Sequence, residues 1–416
     1  MDKKQTVNYP LPEILAPAGD FERLNTAIYY GADAVYLGSD KFGMRSSAAS
    51  FKDELLKDAC DFAHSHGVKV YLTCNVIPHN KDLKVLPEFL EYANYSGVDA
   101  LIVTDLGVMI SALKYSPDLQ IHISTQAGVT NYETASHLYN LGAKRIVLAR
   151  ELSIDEISEI RAKTPPELEI ECFVHGAMCV SFSGRCLLSN YLTGRDSNMG
   201  DCAQPCRWNY SLVEEKRPGQ YFPISVDSSG TYILNSRDMC MIEHIPDLYY
   251  AGVNSFKIEG RAKSAYYTAV TVNAYKSAVK SFGLSGFSRD FAVDKWISEE
   301  VLKASNREYC TGFFYDSPAE NANIYYGGGY IRNWDVVAIA EKWENGVLYA
   351  TQRNRFFEGD ELEVMLKGKP PFAIKVINLK NEESELIDNA PHPMMKLSFD
   401  CEAEIPAGSY LRKIRN

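Results

Sequence analysis

One short pattern recurs five times within the first 260 residues and limits the folds that this chain can adopt. It consists of a glycine, then Ala or Val, then a polar residue and an apolar run, and it begins at Gly31, Gly67, Gly97, Gly142 and Gly252. Each glycine follows a stretch with a helical pattern and can take the left-handed conformation that ends a helix. The apolar runs are typical of strands in a buried parallel sheet. The pattern therefore predicts that helices and strands alternate.

Three further apolar runs bring the number of candidate strands to eight. These strands are Ile14–Ala18, Ala34–Leu37, Val70–Leu72, Ala100–Val103, Ile121–Thr125, Ile146–Leu148, Leu168–Val174 and Phe256–Ile258. Amphipathic helices such as Phe21–Tyr30 and Glu88–Ser96 are predicted between most of them, which indicates an α/β fold. Eight such units close a TIM-type (β/α)8 barrel. An open doubly wound sheet is the alternative, but no Gly-x-Gly-x-x-Gly motif follows any strand, so the barrel is favoured.

The interval between the seventh and eighth strands is much longer than the others. About 80 residues separate Gly176 from Ser255, whereas most of the strands are about 20 residues apart. Long insertions after a barrel strand lie at the C-terminal face, where TIM barrels place their active sites. We therefore expect the insertion, at about 177–250, to contribute to a catalytic site.

The pattern changes after a glycine-rich segment, Tyr326–Tyr330. Short alternating runs such as Val336–Ala340 and Val347–Thr351 follow, with a turn at Asn345-Gly346. These features predict a small C-terminal all-β barrel domain. The expected domains are thus a TIM-barrel-like catalytic domain at 1–325 and a β-barrel domain at 326–416.

Composition and charge exclude several classes of protein. With 46% hydrophobic and 23% charged residues, the chain is too apolar for a disordered protein and too large for a disulfide scaffold. The formal net charge of −11 means that any nucleic-acid contact must come from a local patch. No apolar run approaches the roughly 18 residues of a membrane span. The first residues contain no hydrophobic signal segment, so we expect a cytoplasmic protein without a membrane partner.

The cysteines are concentrated in one part of the chain. Six of the ten lie between Cys172 and Cys240, and five of these belong to the insertion. In a reducing cytosol this concentration favours metal or redox chemistry over disulfides. Cysteine thiolates at irregular spacing are compatible with an iron–sulfur cluster, whereas structural zinc sites more often use Cys-x-x-Cys pairs, which are absent here. Buried cysteines without a ligand remain the alternative.

Polar side chains at the ends of the predicted strands are the other candidates for a site. The catalytic candidates are His175, Glu171 and Asp20, and His175 is either half of a Cys–His nucleophile pair or a hydrogen-bonded packing residue. Arginines are costly to bury without an anionic partner, so those at strand ends suggest a small acidic ligand. The candidates for binding it are Arg45, Arg150, Arg185 and Arg261. Ion pairs with Glu151 or Glu259 at the barrel rim are the alternative for Arg150 and Arg261.

Three segments of this sequence resemble the collagenase-like peptidase U32 family. They are Leu15–Asp20, Gly31–Gly38 and above all Glu171–Ser189, and the resemblance extends over essentially the whole chain. Within the family the sequence is most similar to the prephenate-dependent tRNA uridine hydroxylases. The resemblance implies hydroxylation of the wobble uridine to 5-hydroxyuridine, with prephenate as co-substrate and tRNA as partner. A paralogous family member is a further candidate partner.

The resemblance also implies a 4Fe–4S cluster held by four cysteines. By spacing, these map onto Cys179, Cys186, Cys202 and Cys240, although Cys206 lies four residues after Cys202 and competes with it as the third ligand. The alternatives to tRNA hydroxylation are a U32-type peptidase, for which no recognisable protease constellation is found, and a hydroxylase of another RNA or of a small aromatic substrate. A scaffold that carries a cluster and works only with a paralogous partner is a third.

The C-terminal domain is a candidate for RNA binding. Arg353 and Arg355 lie next to Phe356 and Phe357, and charge combined with stacking faces is typical of proteins that hold single-stranded RNA. A solvated turn with core aromatics is the alternative interpretation.

Overall fold

The computed structural model describes residues 9–43, 51–179, 181–208, 212–213, 221–222, 237–315 and 330–415. The first part of the chain alternates strands and helices: β1 Glu13–Pro17, α1 Phe21–Tyr30, β2 Ala34–Gly38, α2 Leu56–Ser65, β3 Lys69–Cys74, α3 Leu86–Tyr95, β4 Ala100–Val103, α4 Leu106–Tyr115, β5 Gln120–Ile123, α5 Tyr132–Asn140, β6 Ala143–Val147, α6 Ile154–Lys163 and β7 Glu169–Ala177. Next come α7 Leu188–Thr193, β8 Leu212–Val213, β9 Tyr221–Phe222, β10 Asp238–Cys240, α8 Ile245–Tyr250, β11 Ser255–Ile258, α9 Ala265–Leu284, α10 Lys295–Val301 and β12 Tyr309–Cys310. The C-terminal part contains β13 Trp334–Glu344, β14 Val347–Gln352, β15 Glu361–Met365, β16 Phe372–Lys375, β17 Ile377–Lys380, β18 Lys396–Asp400 and β19 Tyr410–Ile414.

Eight parallel strands close into a barrel. Strands β1 to β7 pair in sequence order, and β11 pairs with both β1 and β7, so that Ser255 lies opposite Glu13 on one side and Glu171 on the other. All eight strands predicted from the sequence are present, and the prediction of a TIM-type barrel is confirmed. The five glycines of the repeated pattern have φ values from 72° to 111°, in the left-handed region that ends a helix.

Ion pairs occupy part of the barrel interior. Arg145, only 4% exposed, donates to Glu13 at 2.6 Å, to Glu169 at 2.6 Å and to Glu171 at 3.0 Å. Tyr71 Oη donates to Glu13 at 2.8 Å; burial alone would raise the pKa of Glu13, but the charge of Arg145 and the hydrogen bonds outweigh it and leave that pKa lowered. A buried charge is tolerated only when it is paired and hydrogen-bonded. This network meets that condition.

The insertion after β7 extends the barrel wall. Strand β7 has nine residues, and its last part pairs antiparallel with β10, with His175 opposite Cys240. Strand β12 then adds to β10 in parallel. The insertion between β7 and β10 therefore begins and ends at the C-terminal end of the barrel, where the sequence analysis placed it.

The C-terminal domain is a curled antiparallel sheet of seven strands. Its order is β16-β15-β19-β13-β14-β18-β17, so β16 and β17 stand at opposite ends. Only Val376, fully buried, separates these two strands in the chain, which means that the curled sheet brings its two edges together. Asn345 and Gly346 have φ values of 52° and 83°, as a two-residue hairpin of the mirror-image type requires. The predicted all-β domain is confirmed.

The two domains share a buried junction. Arg412 of β19, with no exposed surface, pairs with Glu300 of α10 and Glu363 of β15, each at 2.6 Å. Met365 and Tyr410 of the sheet pack into the hydrophobic core of the barrel domain. The predicted boundary at 325/326 lies outside the described residues and stays a prediction.

Helix α9, with 20 residues the longest of the described helices, packs against α1, α10 and the C-terminal domain. Asn273 on this helix donates to the carbonyl of Leu366 at 3.0 Å and accepts from Gly368 N at 2.7 Å. Among the described residues, no helix combines the length and the apolar character needed to cross a bilayer.

Candidate active site

A cavity of about 930 Å³ opens at the C-terminal ends of the barrel strands. Its walls come from these strands, from the insertion and from Tyr330 and Arg332, which precede β13. Its charged lining consists of six cationic and two anionic side chains: Arg150, Arg195, Lys257, Arg261, Lys263 and Arg332 against Glu151 and Glu259. In a chain with a net charge of −11, this local excess of positive charge favours an anionic ligand.

Four thiols line this cavity: Cys179, Cys186, Cys202 and Cys206. Cys179 and Cys202 are exposed, and the other two are partly exposed. The sulfur of Cys186 accepts from Leu188 N, and that of Cys202 accepts from Gln204 N, each at 3.3 Å. These two contacts hold the sulfur atoms in place beside the cavity. In the part of the chain that the structure describes, no three His, Cys, Asp or Glu side chains converge closely enough to hold a metal ion.

Cys240 lies apart from these four thiols. It belongs to β10 and is not among the residues that line the cavity. Its sulfur lies 4.0 Å from Tyr275 Oη, and burial raises the pKa of the thiol to about 12. The four cavity thiols have the chemistry that a thiolate-bound cluster needs, although they do not converge to cluster-binding distance among the described residues, and Cys206 lines the cavity with them where spacing pointed to Cys240.

Two of the predicted arginines lie on the cavity wall. The guanidinium of Arg150 stacks 3.8 Å above the ring of Phe173, donates to the Ala177 carbonyl at 2.8 Å and lies 3.8 Å from Glu259. Its Nε atom is buried without a hydrogen-bond partner among the described residues. Arg261 donates to Thr73 Oγ1 at 3.1 Å and lies 5.8 Å from the ring centroid of Tyr36. The ion pair with Glu259, the alternative role of Arg150, is therefore present, but its N–O distance of 3.8 Å is long.

The other two predicted arginines differ in their placement. Arg185 donates from Nε to the carbonyl of Gln126 at 2.7 Å, which ties the insertion to the end of β5. Glu151 accepts from the backbone N of Ser183 at 2.6 Å and from its hydroxyl at 2.8 Å, so it also holds the insertion. Arg45 lies outside the described residues.

The three catalytic candidates do not come together. His175 is 1% exposed, with Tyr275 Oη 3.5 Å from Nδ1 and Tyr309 Oη 3.3 Å from Nε2, and burial lowers its pKa to about 3. Asp20 caps α1 by accepting from Arg23 N at 2.9 Å and pairs with the side chain of that arginine. Neither residue lines the cavity, and no thiol is hydrogen-bonded to the ring nitrogens of His175 in the described residues. These contacts are those of a packing residue and a helix cap.

Glu171, the third candidate, lies inside the barrel next to a residue that the sequence analysis missed. This residue is Lys257 on β11, whose Nζ lies 2.7 Å from Glu171 Oε1. Lys257 is 4% exposed, yet it lines the cavity. The sequence did contain a sign of this residue, because Lys257 lies within the apolar run Phe256-Lys257-Ile258. Burial of a charged side chain costs free energy unless the charge is paired.

Large apolar side chains are exposed on the insertion, other residues of which line the cavity. They include Leu187, Tyr191, Leu192 and Trp208, which we call the loop patch, and Tyr191 is 82% exposed. Leu187 and Tyr191 are four residues apart and share a face of α7, which packs against the turn Pro205–Arg207 just before Trp208. Exposed apolar groups that cluster in this way mark interaction surfaces.

The C-terminal segment proposed for RNA stacking has a different structure from the one expected. Phe356 is fully buried in the core of the sheet, so the prediction that it offers a stacking face is wrong. Arg353 pairs with Glu22 of the barrel domain at 3.0 Å. Arg355 donates to Asn389 at 3.1 Å and lies over the ring of Phe357, which is partly exposed.

A closed (β/α)8 barrel whose mouth holds a cation-lined cavity with four thiols has the architecture of a TIM-barrel enzyme. The chain belongs to the U32 family: the pattern described as "Peptidase family U32" matches residues 19–324, and that of "Peptidase family U32 C-terminal domain" matches residues 332–412.

Three relatives with known names illustrate the range of this family. The chain is 33% identical over 404 residues to "tRNA hydroxylation protein P1" of Bacillus subtilis, covering 97% of this chain and 94% of the relative. It is 34% identical to "tRNA hydroxylation protein P" of Escherichia coli, covering 91% of each. It is 44% identical over 317 residues to "Uncharacterized protease MJ0090" of Methanocaldococcus jannaschii, covering 76% of this chain and 75% of that one.

Proposed function

We propose that this protein is a tRNA-modifying enzyme that hydroxylates the wobble uridine to 5-hydroxyuridine, with prephenate as co-substrate. The observation that carries the proposal is its similarity, over nearly the whole of both chains, to two proteins named for tRNA hydroxylation. The cation-lined cavity supports it, because both an RNA and a dicarboxylate are anions.

A 4Fe–4S cluster is the proposed cofactor. Cys179, Cys186 and Cys202 would hold it, with Cys206 or Cys240 as the fourth ligand. When bound, such a cluster supplies one-electron redox chemistry beside the cavity. The backbone N–H groups directed at Cys186 and Cys202 fix the positions of their sulfur atoms. Glu151 and Arg185 hold the insertion against the barrel, which positions the thiols over the cavity.

Arg150 and Arg261 are the proposed partners of the carboxylates of prephenate. A guanidinium offers two parallel N–H groups to a carboxylate, which a lysine cannot reproduce. Phe173 and Tyr36 lie beneath these guanidinium groups and orient them towards the cavity. In this role Arg150 exchanges its loose contact with Glu259 for a closer one with the ligand.

The loop patch is the proposed contact for the anticodon loop. Tyr191 and Trp208 present aromatic surface on the insertion, which also lines the cavity, and unstacked bases pack on such surfaces in single-stranded RNA complexes. Lys263 and Arg332 add positive charge at the same opening. In this proposal the RNA contacts the insertion, and not the C-terminal segment at Arg353.

A peptidase is the second candidate, favoured by the relative named as an uncharacterized protease. A cysteine peptidase needs a thiol and a base in hydrogen-bond reach. His175, the base that this mechanism would use, is instead enclosed by tyrosines. The described residues thus favour hydroxylation.

One experiment tests the proposed function in the purified protein. The protein is isolated without oxygen, its iron and sulfide are measured, and it is incubated with unmodified tRNA with and without prephenate. Nucleoside mass spectrometry should detect a uridine heavier by one oxygen only when prephenate is present. A cluster-loaded protein that leaves the tRNA unchanged, or that cleaves casein or gelatin instead, would contradict the proposal.

A further inference from the structure

Lys257 lies inside the barrel with no role in the proposed hydroxylation. It points inward from β11, is 4% exposed and reaches the cavity wall. Lysines are rarely buried to this degree, because a compact ammonium group loses its hydration. A buried lysine at the active-site end of a TIM barrel therefore requires an explanation.

Aromatic rings place Lys257 between the two arginines of the cavity. Its Nζ lies 5.4 Å from the ring centroid of Phe173, which also carries Arg150 at 3.8 Å. It lies 4.6 Å from the ring centroid of Tyr36, and Arg261 is 5.8 Å from the same centroid. Lys257 thus shares an aromatic ring with each of the two arginines that are proposed to bind carboxylates.

The surroundings of Lys257 favour loss of its proton. Burial lowers its pKa, and Glu171 opposes this effect in part. The carboxylate of Glu171 lies 2.7 Å from Nζ and is held on its other side by Arg145 at 3.0 Å. It can therefore accept a proton from the lysine at a fixed position. A lysine amine that loses its proton in a desolvated pocket beside other cations is a nucleophile towards carbonyl carbon.

We propose that Lys257 forms an imine with the carbonyl carbon of a 2-oxo acid bound between Arg150 and Arg261. The inference concerns a covalent step that the proposed function does not require. It relates to that function through prephenate, a dicarboxylate whose side chain is itself a 2-oxo acid. The arginines select the carboxylates, and the lysine selects the ketone.

The step is a condensation that needs no oxidant or reductant. The Lys257 ammonium transfers one proton to Glu171, and its nitrogen then forms a bond to the carbonyl carbon. A second proton moves from nitrogen to the former carbonyl oxygen. That oxygen leaves as water with the proton returned by Glu171, which leaves a protonated imine paired with the carboxylate. One water is released for each carbonyl bound, and the total charge is unchanged.

Trapping with borohydride tests this inference directly. The whole protein is incubated with pyruvate, the smallest 2-oxo acid, then reduced with sodium borohydride and analysed as an intact protein and after digestion. We expect one reduced pyruvyl adduct per chain, located on the peptide that contains Lys257. Prephenate should give the corresponding adduct and should compete with pyruvate. Borohydride alone should give none.

Two variants make the assignment specific. Lys257→Met should lose the adduct, whereas Lys295→Met should keep it, because Lys295 is exposed on α10, pairs with Glu299 and does not line the cavity. Mapping of the wild-type adduct decides the matter even if Lys257→Met fails to fold. Absence of an adduct in the wild-type protein, or its location at Lys263 or at another lysine, would overturn the proposal. Because the assay requires neither iron nor tRNA, its result is independent of whether the protein hydroxylates RNA.

Discussion

Arg412, which is fully buried, and Arg150, which is partly buried, differ in how completely their hydrogen bonds are satisfied. Arg412, at the domain junction, donates to Glu300 at 2.7 and 2.6 Å, to Glu363 at 2.8 and 2.6 Å, and to Tyr266 Oη at 3.0 Å. Arg150, in the cavity, has one carbonyl at 2.8 Å, a carboxylate at 3.8 Å and an Nε atom without a partner in the described residues. The first arginine is fully used by the fold, and the second has capacity left for a ligand.

The difference distinguishes charged side chains that stabilise the fold from charged side chains that are available to bind a ligand. Arg145, like Arg412, is surrounded by carboxylates of the protein itself. Arg150 and Arg261 of the cavity instead lie over the rings of Phe173 and Tyr36, and the cations that line the cavity outnumber the carboxylates that line it. Substitutions at the junction should therefore affect stability, and substitutions at the cavity should affect ligand binding.

Loss of a cavity thiol should have the largest effect, because cluster binding is all or none. Cys179→Ala or Cys186→Ala should abolish iron and sulfide in protein purified without oxygen. Cys60→Ala, in the core beneath α2, should retain both. The same assay on Cys206→Ala and Cys240→Ala identifies the fourth ligand. Full iron content in both Cys179→Ala and Cys186→Ala would disprove the ligand assignment.

Removal of a junction carboxylate should cost the most stability. Glu300→Ala leaves Arg412 buried with one carboxylate fewer, and breaking a buried ion pair costs about 3–5 kcal/mol. The neighbouring exposed Glu299, which pairs with Lys295, is the matched control, and Glu299→Ala should change the free energy of unfolding by less than about 1 kcal/mol. Urea denaturation measures both. Equal effects of the two substitutions would show that the buried ion pair of Arg412 contributes no more to stability than an exposed ion pair.

Conservative changes in the cavity should affect ligand affinity and not stability. Arg150→Lys or Arg261→Lys keeps the charge but loses the paired N–H groups of the guanidinium. Each should weaken prephenate binding by about 1.5–3 kcal/mol, with folding and iron content unchanged. Isothermal titration calorimetry with prephenate measures this. Wild-type affinity in both variants would make these arginines structural parts of the rim.

The smallest effect is expected on the loop patch. Tyr191→Ala should weaken binding of an anticodon stem-loop by about 1–3 kcal/mol if one base stacks on this ring. Tyr95, which is 71% exposed on α3, is the control, and Tyr95→Ala should leave binding unchanged. Filter binding at fixed salt compares the two. Unchanged binding by Tyr191→Ala, or equal weakening by both variants, would contradict stacking of a base on this ring.

The sequence predicted the barrel well because its signal is local and repeated. Each glycine with a positive φ ends a helix just before a strand, so the spacing of Gly31 and its four counterparts defines most of the units. Two of the cations that line the cavity, Arg150 and Arg261, were predicted from their positions at strand ends. The environment of His175 could not be predicted in this way, because the tyrosines that enclose it, Tyr275 and Tyr309, are 100 and 134 residues away in the chain. Lys257 was missed because a paired charge inside a barrel breaks the apolar pattern of its strand.

The most direct test of the account is the 5-hydroxyuridine content of tRNA in a strain that lacks this protein. The strain is complemented with the wild type, with Arg261→Lys, or with Arg289→Lys, an exposed arginine that stacks on Tyr250 away from the cavity. We predict that the wild type and Arg289→Lys restore the modification and that Arg261→Lys does not, at equal protein levels. Full restoration by Arg261→Lys, or no change in the modification with the wild type, would contradict the account.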